Sequence, residues 1–183
     1  VIGKDFKFGN NREGNSKLLE KFSNIYDFEI ETINSLKFKD KKISSTEIRK
    51  LLTSNNFSLV KDLLGRPYSI HGNVIKGDEI GRKLGYPTAN MSVYNSIPIN
   101  GIFLVKVLID NDNFYGLASI GNRPTFSGKK NILEVFIFDF DRNIYNQRIG
   151  VYFIKKLRDQ IKFKNEKELI NQMDIDYKNA TDM

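Results

Sequence analysis

Between Gly77 and Asn90 the chain reads Gly77-Asp78-Glu79-Ile80-Gly81-Arg82-Lys83-Leu84-Gly85-Tyr86-Pro87-Thr88-Ala89-Asn90, with glycines at a spacing of four, two adjacent cations and a Thr-x-Asn. Such a segment can hold a polyphosphate. Gly77, Gly81 and Gly85 let the backbone approach an anion closely with its N–H groups turned inward, while Arg82 and Lys83 add positive charge. Thr88 and Asn90 offer neutral oxygens, which suit Mg²⁺ when phosphates and water complete its shell. The residue order fits neither a P-loop, which needs Gly-Lys-Ser/Thr after the glycines, nor a G-x-G-x-x-G fingerprint opening a helix. A glycine-rich turn between two strands with solvated cations reads the same way, so residue chemistry alone leaves both open.

Two other places carry chemistry. Glu134 lies in Ile132-Leu133-Glu134-Val135-Phe136-Ile137-Phe138, where strand alternation puts it on one face with Ile132, Phe136 and Phe138. A carboxylate among apolar neighbours is the kind of group that serves as a general base, although a glutamate on the open face of an edge strand has the same pattern. Ser44-Ser45-Thr46-Glu47-Ile48-Arg49 contains a Ser-x-x-Glu capping box, Ser44 to Glu47, that starts a helix. The free N–H groups of that helix end, with Arg49 in support, could bind phosphate.

Composition bounds the rest. The 183 residues include no cysteine, which excludes disulfides and thiolate sites, and one histidine, His71, which argues against a His-based metal site or a Ser-His relay. His71 reads as an ordinary strand residue. No run of about 18 apolar residues is present, and VIGKDFKFGN lacks the sections of a signal peptide, so a soluble cytoplasmic protein without membrane contact is expected. The net charge of +7 is spread evenly, +3 before Gly65 and +4 from it, which an anionic small-molecule substrate explains as well as nucleic acid does.

The elements that must position these residues fall into two parts. Up to Leu64 the pattern gives helix over 16–22, an alternating strand over 28–33, a helix from the capping box through Leu52 and a short helix over 59–64 that ends at Gly65. Arg66-Pro67 then begins an extended segment, which places the domain boundary between residues 64 and 65. Beyond it the period becomes two, with strands over 68–75, 101–109, 114–120, 132–138 and 150–154, and a last helix over 166–177 with Leu169, Ile170 and Met173 on one face. Short strands with tight connections predict a small antiparallel barrel.

The run GRKLGYPTAN resembles the signature of riboflavin kinases, particularly the kinase half of bacterial bifunctional riboflavin kinase/FAD synthetases. Gly116-Leu117-Ala118-Ser119-Ile120-Gly121-Asn122-Arg123-Pro124-Thr125-Phe126, Leu133-Glu134-Val135-Phe136, Tyr145-Asn146-Gln147-Arg148 and Leu157-Arg158-Asp159-Gln160 follow in the family's order. Upstream, Gly3-Lys4-Asp5-Phe6-Lys7-Phe8-Gly9 and Ile43-Ser44-Ser45-Thr46-Glu47-Ile48-Arg49 resemble the second half of the adenylyltransferase domain. The resemblance covers nearly the whole chain. It implies an α+β protein: residues 65–183 as a riboflavin kinase domain, a six-stranded antiparallel Greek-key β-barrel with a C-terminal helix, preceded in residues 1–64 by the incomplete end of a Rossmann-like α/β FMN adenylyltransferase domain.

It also implies roles. Glu134 takes the proton from the ribityl 5′-hydroxyl of riboflavin as that oxygen attacks the γ-phosphate of ATP, Thr88 and Asn90 meet Mg²⁺ and nucleotide, and the segment from Gly77 to Gly85 with Arg82 and Lys83 wraps the phosphates. Arg158 is implied to contact the flavin from a mobile segment, residues 122–126 to form a second loop near the site, and Ser44, Ser45, Thr46 and Arg49 to help bind nucleotide for FMN adenylylation. Gln160 departs from the family's usual acid and Asn146 from its usual glycine. No H-x-G-H is present, so this chain is expected to make FMN but not, alone, to convert it to FAD, and to be a piece of a longer bifunctional protein. A different class of reading, a non-enzymatic basic barrel binding single-stranded nucleic acid through exposed aromatics, draws on the fourteen Phe and eight Tyr.

Overall fold

The structure is a computed structural model that describes residues 1–39, 41–77, 79–93, 97–125 and 128–182. Its contacts divide it into two compact units, Val1–Ser45 and Thr46–Met183. In the first, short strands β1 (Ile2–Gly3), β2 (Lys7–Phe8) and β3 (Gly14–Asn15) precede α1 (Ser16–Tyr26), followed by β4 (Thr32–Ile33), β5 (Lys37–Phe38) and β6 (Lys41–Lys42). Asn15 starts α1 by accepting a hydrogen bond from the Leu18 amide (3.1 Å), and Asp27 ends it in the left-handed conformation. Strands β1 and β4 pair in parallel across α1, the connectivity of a single βαβ unit, and this is what the described residues retain of an α/β sheet. The alternating stretch over 28–33 forms strand only at Thr32–Ile33.

The second unit begins with α2 (Ser45–Thr53), most of which lies within it, and α3 (Phe57–Leu64), whose start is capped by the Asn56 side chain and whose end is turned by Gly65 at φ 69°. Then come β7 (Ser69–Ile75), a helical turn α4 (Ile80–Lys83), β8 (Thr88–Val93), β9 (Gly101–Ile109), β10 (Asp112–Thr125), β11 (Gly128–Ile137), β12 (Arg148–Arg158) and α5 (Glu166–Thr181). Six strands close into an antiparallel barrel in the order β10-β11-β8-β7-β12-β9. Strand β12 returns beside β9 after the β9-β10-β11 meander, which is a Greek key. The sequence pattern marks five of these strands; β8 begins inside the segment read as a binding loop. The expected second loop, from Asn122, is instead the continuation of β10 through Thr125, while Phe126 lies outside the described residues.

Alternation fills the barrel. Met91, Phe103, Val105, Leu133, Val135 and Val151 point inward and are essentially fully buried. Leu52, Phe57 and Val60 from α2 and α3 join the same cluster, with Phe57 edge-on to Phe103 (5.9 Å) and stacked on Phe153 (6.2 Å). Packing therefore draws residues 46–64 to the barrel, although the turn chemistry at Gly65 puts the sequence boundary after them. A second, smaller cluster on the outer surface, Leu104, Leu117, Phe138 and Ala180 with Phe136 and Tyr177, seats α5 against the barrel.

Removing the Phe57 ring should leave a cavity against Phe103 and Phe153. Phe57→Ala is expected to destabilise the barrel by about 3–5 kcal/mol. Denaturant unfolding checks this, and a loss under about 1 kcal/mol would mean that α3 is not part of the barrel's cooperative unit.

Candidate functional site

Register aligns the outward-facing residues. Asn90 pairs with Glu134, Glu134 with Ser119, Ser119 with Ile102, and Ile102 with Arg158. Directly paired residues share one face of a sheet, so these five form a single row across β8, β11, β10, β9 and β12. The next outer row, Thr88, Phe136, Leu117 and Leu104, supplies apolar surface under α5. Glu134 thus stands between Ile132 and Phe136 on the outside of the barrel, while its chain neighbours Leu133 and Val135 are at 0% exposure within it.

Two cavities meet along this surface. The first, about 400 Å³, lies between Ile102, Leu117, Ile132 and Phe136 of the barrel and Leu169 and Met173 of α5, with Glu134, Ser119, Arg158, Gln160 and Asp176 as its polar wall. The second, about 390 Å³, is lined by Gly77, Arg82, Arg142, Asn143 and Tyr145 among others. Glu79, Thr88 and Asn90 border both. Of the sequence-predicted phosphate-binding residues, Gly77 and Arg82 reach the second cavity and Gly81 the first, whereas Lys83 and Gly85 are exposed and line neither.

The glycines work here by close approach. A Cβ at Gly77 would run into the Asn90 amide, and one at Gly81 into the Tyr86 carbonyl oxygen, next to the Thr88 hydroxyl. Both glycines therefore let the turn press onto β8. Asn90 is only 8% exposed, and its Nδ2 donates to the Thr88 carbonyl (3.4 Å), which leaves Oδ1 as an acceptor or metal ligand. The described residues contain no group of three or more His, Cys, Asp or Glu that could hold a metal. Thr88 Oγ1 and Asn90 Oδ1 fit a small hard cation that brings phosphate and water oxygens with it.

Helix α5 secures the far end of the row. Asn165 caps it by accepting from the Glu168 amide (2.9 Å). Arg158 donates from Nε and Nη2 to the Asp176 carboxylate at 2.6–3.0 Å, and its Nη1 to the Asp159 carbonyl (2.9 Å). Gln172 donates to the same carboxylate (2.9 Å), so Asp176, 4% exposed, is well satisfied. Asp176 escaped the sequence reading, yet its position in the apolar stripe Leu169, Met173, Asp176, Ala180 is the same signal that singled out Glu134. Arg142 also escaped it, because the Asp139–Asn143 stretch reads as a plain turn; its guanidinium lies over the Phe114 and Phe140 rings, 5.1 Å from each centroid.

The glycine-rich turn is tied to α5 through Tyr86, whose hydroxyl donates to Asp174 and whose ring meets Phe136 edge-on at 5.1 Å. Burial first, then the hydrogen-bonded Asp174 carboxylate, push the Tyr86 phenol up to about 12. Thr46 and Arg49 line an open groove on α2 with Lys50, Thr53 and Ser54, while Ser44 and Ser45 belong to the first compact unit.

The riboflavin kinase family matches residues 64–183, and the FAD synthetase family residues 1–47. Among curated proteins, the bifunctional riboflavin kinase/FMN adenylyltransferase of Buchnera aphidicola (subsp. Schizaphis graminum) is 46% identical over 96% of this chain and 58% of its own length. That of Haemophilus influenzae is 42% identical over 98% of this chain and 59% of its own. The chain therefore spans about three fifths of the length of these relatives. The crystal structure of a macrolide-efflux protein from Streptococcus pneumoniae superposes with a TM-score of 0.74 at 32% identity, covering 100% of this chain and 60% of that one. No helix among the described residues here is long and apolar enough to cross a membrane.

Because the neutral Tyr86 phenol is favoured by the fold, its contribution to stability is present below the ordinary value near 10 and is lost as pH rises through about 12. Burial also pushes the Tyr68 phenol up, so ultraviolet titration of the native protein should show late tyrosinate steps of which Tyr86→Phe removes one and leaves that of Tyr68, and wild-type stability should fall more steeply than the variant's between those values. Identical titrations for both proteins would contradict the Tyr86–Asp174 link.

Proposed function

Because the chain belongs to the riboflavin kinase family, we propose that its barrel transfers the γ-phosphoryl group of ATP to the ribityl 5′-hydroxyl of riboflavin, in the cytoplasm. The observation that carries this reading is the meeting of two cavities at Thr88 and Asn90, with Glu134 paired to Asn90 on the next strand. The first, largely apolar cavity suits a flat flavin ring. The second, with Arg82 and Arg142, suits a nucleotide polyphosphate.

In this mechanism Glu134 accepts the 5′-hydroxyl proton while that oxygen forms its bond to the γ-phosphorus. The bond from phosphorus to the β,γ-bridging oxygen breaks, ADP leaves, and the proton remains on Glu134 until solvent removes it. Thr88 and Asn90 would hold through their neutral oxygens a Mg²⁺ that arrives with ATP, and the ion would supply neutralisation of the phosphate charge there. The close approach of Gly77 and Gly81 to β8 brings the turn's backbone beside them. Arg158, oriented by Asp176, borders the flavin cavity where a planar guanidinium can contact the ring. In a protein of the relatives' length, residues 1–64 would close an FMN adenylyltransferase domain that makes FAD, with Ser44, Ser45, Thr46 and Arg49 near its nucleotide.

Incubation with riboflavin, ATP and Mg²⁺, with separation of FMN from riboflavin, tests the reading. Glu134→Gln keeps size and polarity but removes the base, so turnover should fall about a hundredfold or more while riboflavin still binds; near-normal turnover would refute the role. Thr88→Ala and Asn90→Ala should each weaken Mg²⁺-dependent nucleotide binding more than flavin binding. Unchanged Mg²⁺ and ATP dependence in both variants would sink that assignment.

A further inference from the structure

Ser119 and Gln160 line the first cavity, and the phosphoryl transfer proposed above gives neither a task. Ser119 is the cross-strand partner of Glu134, one strand spacing of about 4.8 Å from it. Gln160, just beyond β12, folds back so that its Nε2 donates to the Ser119 hydroxyl at 3.1 Å. The fold makes room for this contact at Gly121, where a Cβ would collide with the Gln160 amide. The pair is therefore a built feature of the cavity wall, two chain segments brought together beside the carboxylate.

Its hydrogen-bonding capacity is only partly used. After accepting from Gln160, the Ser119 hydroxyl still has its own proton to donate, and Gln160 keeps a carbonyl oxygen and a second N–H. Around them Ile102, Leu117 and Ile132 supply apolar surface, with Glu134 beside Ser119. A donor and acceptor pair in such surroundings, one strand from the base, fits further hydroxyl groups on the chain that carries the reacting hydroxyl. A ring edge could not use it in the same way, because the oxygen reacting at Glu134 is separated from the ring by the whole length of the polyol. The amide head matters too: a carboxylate at position 160 would accept from Ser119 but would offer no donor.

We infer that Ser119 and Gln160 form a polyol subsite that hydrogen-bonds the inner hydroxyls of the ribityl chain and so makes the site selective for flavins bearing an open-chain, multiply hydroxylated arm. This inference rests on the riboflavin kinase reading. It assigns specificity to two residues outside the catalytic set, and the interaction is present in the ground state, so its loss falls mainly on KM.

The test compares wild type, Gln160→Met and Ser119→Ala on riboflavin and on analogues lacking the 2′-, 3′- or 4′-hydroxyl. For wild type, at least one deoxy analogue should show kcat/KM about tenfold below riboflavin, the effect of leaving polar groups unpaired once the bound flavin covers them. In either variant riboflavin should drop towards that analogue, and the penalty should shrink to about twofold, with kcat little changed. Gln160 is exposed, so Gln160→Met leaves the core intact and keeps the comparison valid if Ser119→Ala proves unstable. If the pair merely braces the strand ends, all substrates lose equally and the inference is overturned. Retention of the full wild-type discrimination by Gln160→Met overturns it as well. Failure of wild type to phosphorylate riboflavin overturns the kinase reading and this inference together, whereas normal riboflavin turnover with unaltered discrimination overturns the inference alone.

Discussion

Barrel closure is the constraint on which the rest depends. Once six antiparallel strands close, every strand must send alternate side chains into one interior, and a slip by a single residue would turn each strand inside out. The interior here demands Ala89 and Met91 from β8, and Leu133 and Val135 from β11. That demand leaves Thr88, Asn90 and Glu134 outside, on adjacent strands and in matched register. The outer row is thus held in place by the burial of residues that face the interior.

Helix α5 converts this outer surface into a cavity. A lone row of polar side chains on a barrel would be open to water, and water competes for every hydrogen bond that must orient a substrate. Ala180 and Tyr177 pack on Leu104, Leu117 and Phe138, which sets the helix at one end of the row, and its Leu169 and Met173 roof the remainder. Tyr86 and Asp174 link the roof to the glycine-rich turn, so the element that borders the second cavity and the element that covers the first are braced against each other.

Much of this was legible in the residues, and the exceptions have physical causes. Strong alternation marked β7, β9, β10, β11 and β12, because each must bury one side. Strand β8 was obscured since Pro87 and the glycines before it carry turn chemistry, and since Asn90 gives a polar outer position that resembles a loop ligand. The ends of β10 and β11 ran longer than their apolar patterns because beyond Ile120 and before Ile132 the ladder continues without core-facing hydrophobics to announce it. Residues 46–64 pack with the barrel because Phe57 and Val60 fill its core, a tertiary fact that the capping signal at Gly65 could not express. Glu134, Thr88 and Asn90 were singled out from residue type and resemblance, and lie on paired strands. Asp176, Ser119 and Gln160 acquire meaning only from partners that lie 18 to 41 residues away.

The distribution of charge between the two cavities argues further for a division of labour. A net charge of +7 spread along the chain has no direction of its own. In the first cavity the Arg158 guanidinium is matched by the Asp176 carboxylate, so this pair adds specific donors with little net field, and the surrounding wall is apolar. In the second, Arg82 and Arg142 stand with Asn143, Tyr145 and the carboxylates of Glu79 and Asp141, and Arg142 is also partnered at Asp112 (3.2 Å), outside the cavity's lining. The second cavity thus offers planar guanidinium donors, and the first an apolar wall. The proposed phosphoryl transfer requires the two kinds of ligand to meet end to end, and among the described residues these environments share the short strip of Glu79, Thr88 and Asn90. Glu134 lies one strand over from Asn90 and on the apolar side of that strip, which is the placement that the proposed role of a base for the hydroxyl of the neutral ligand requires.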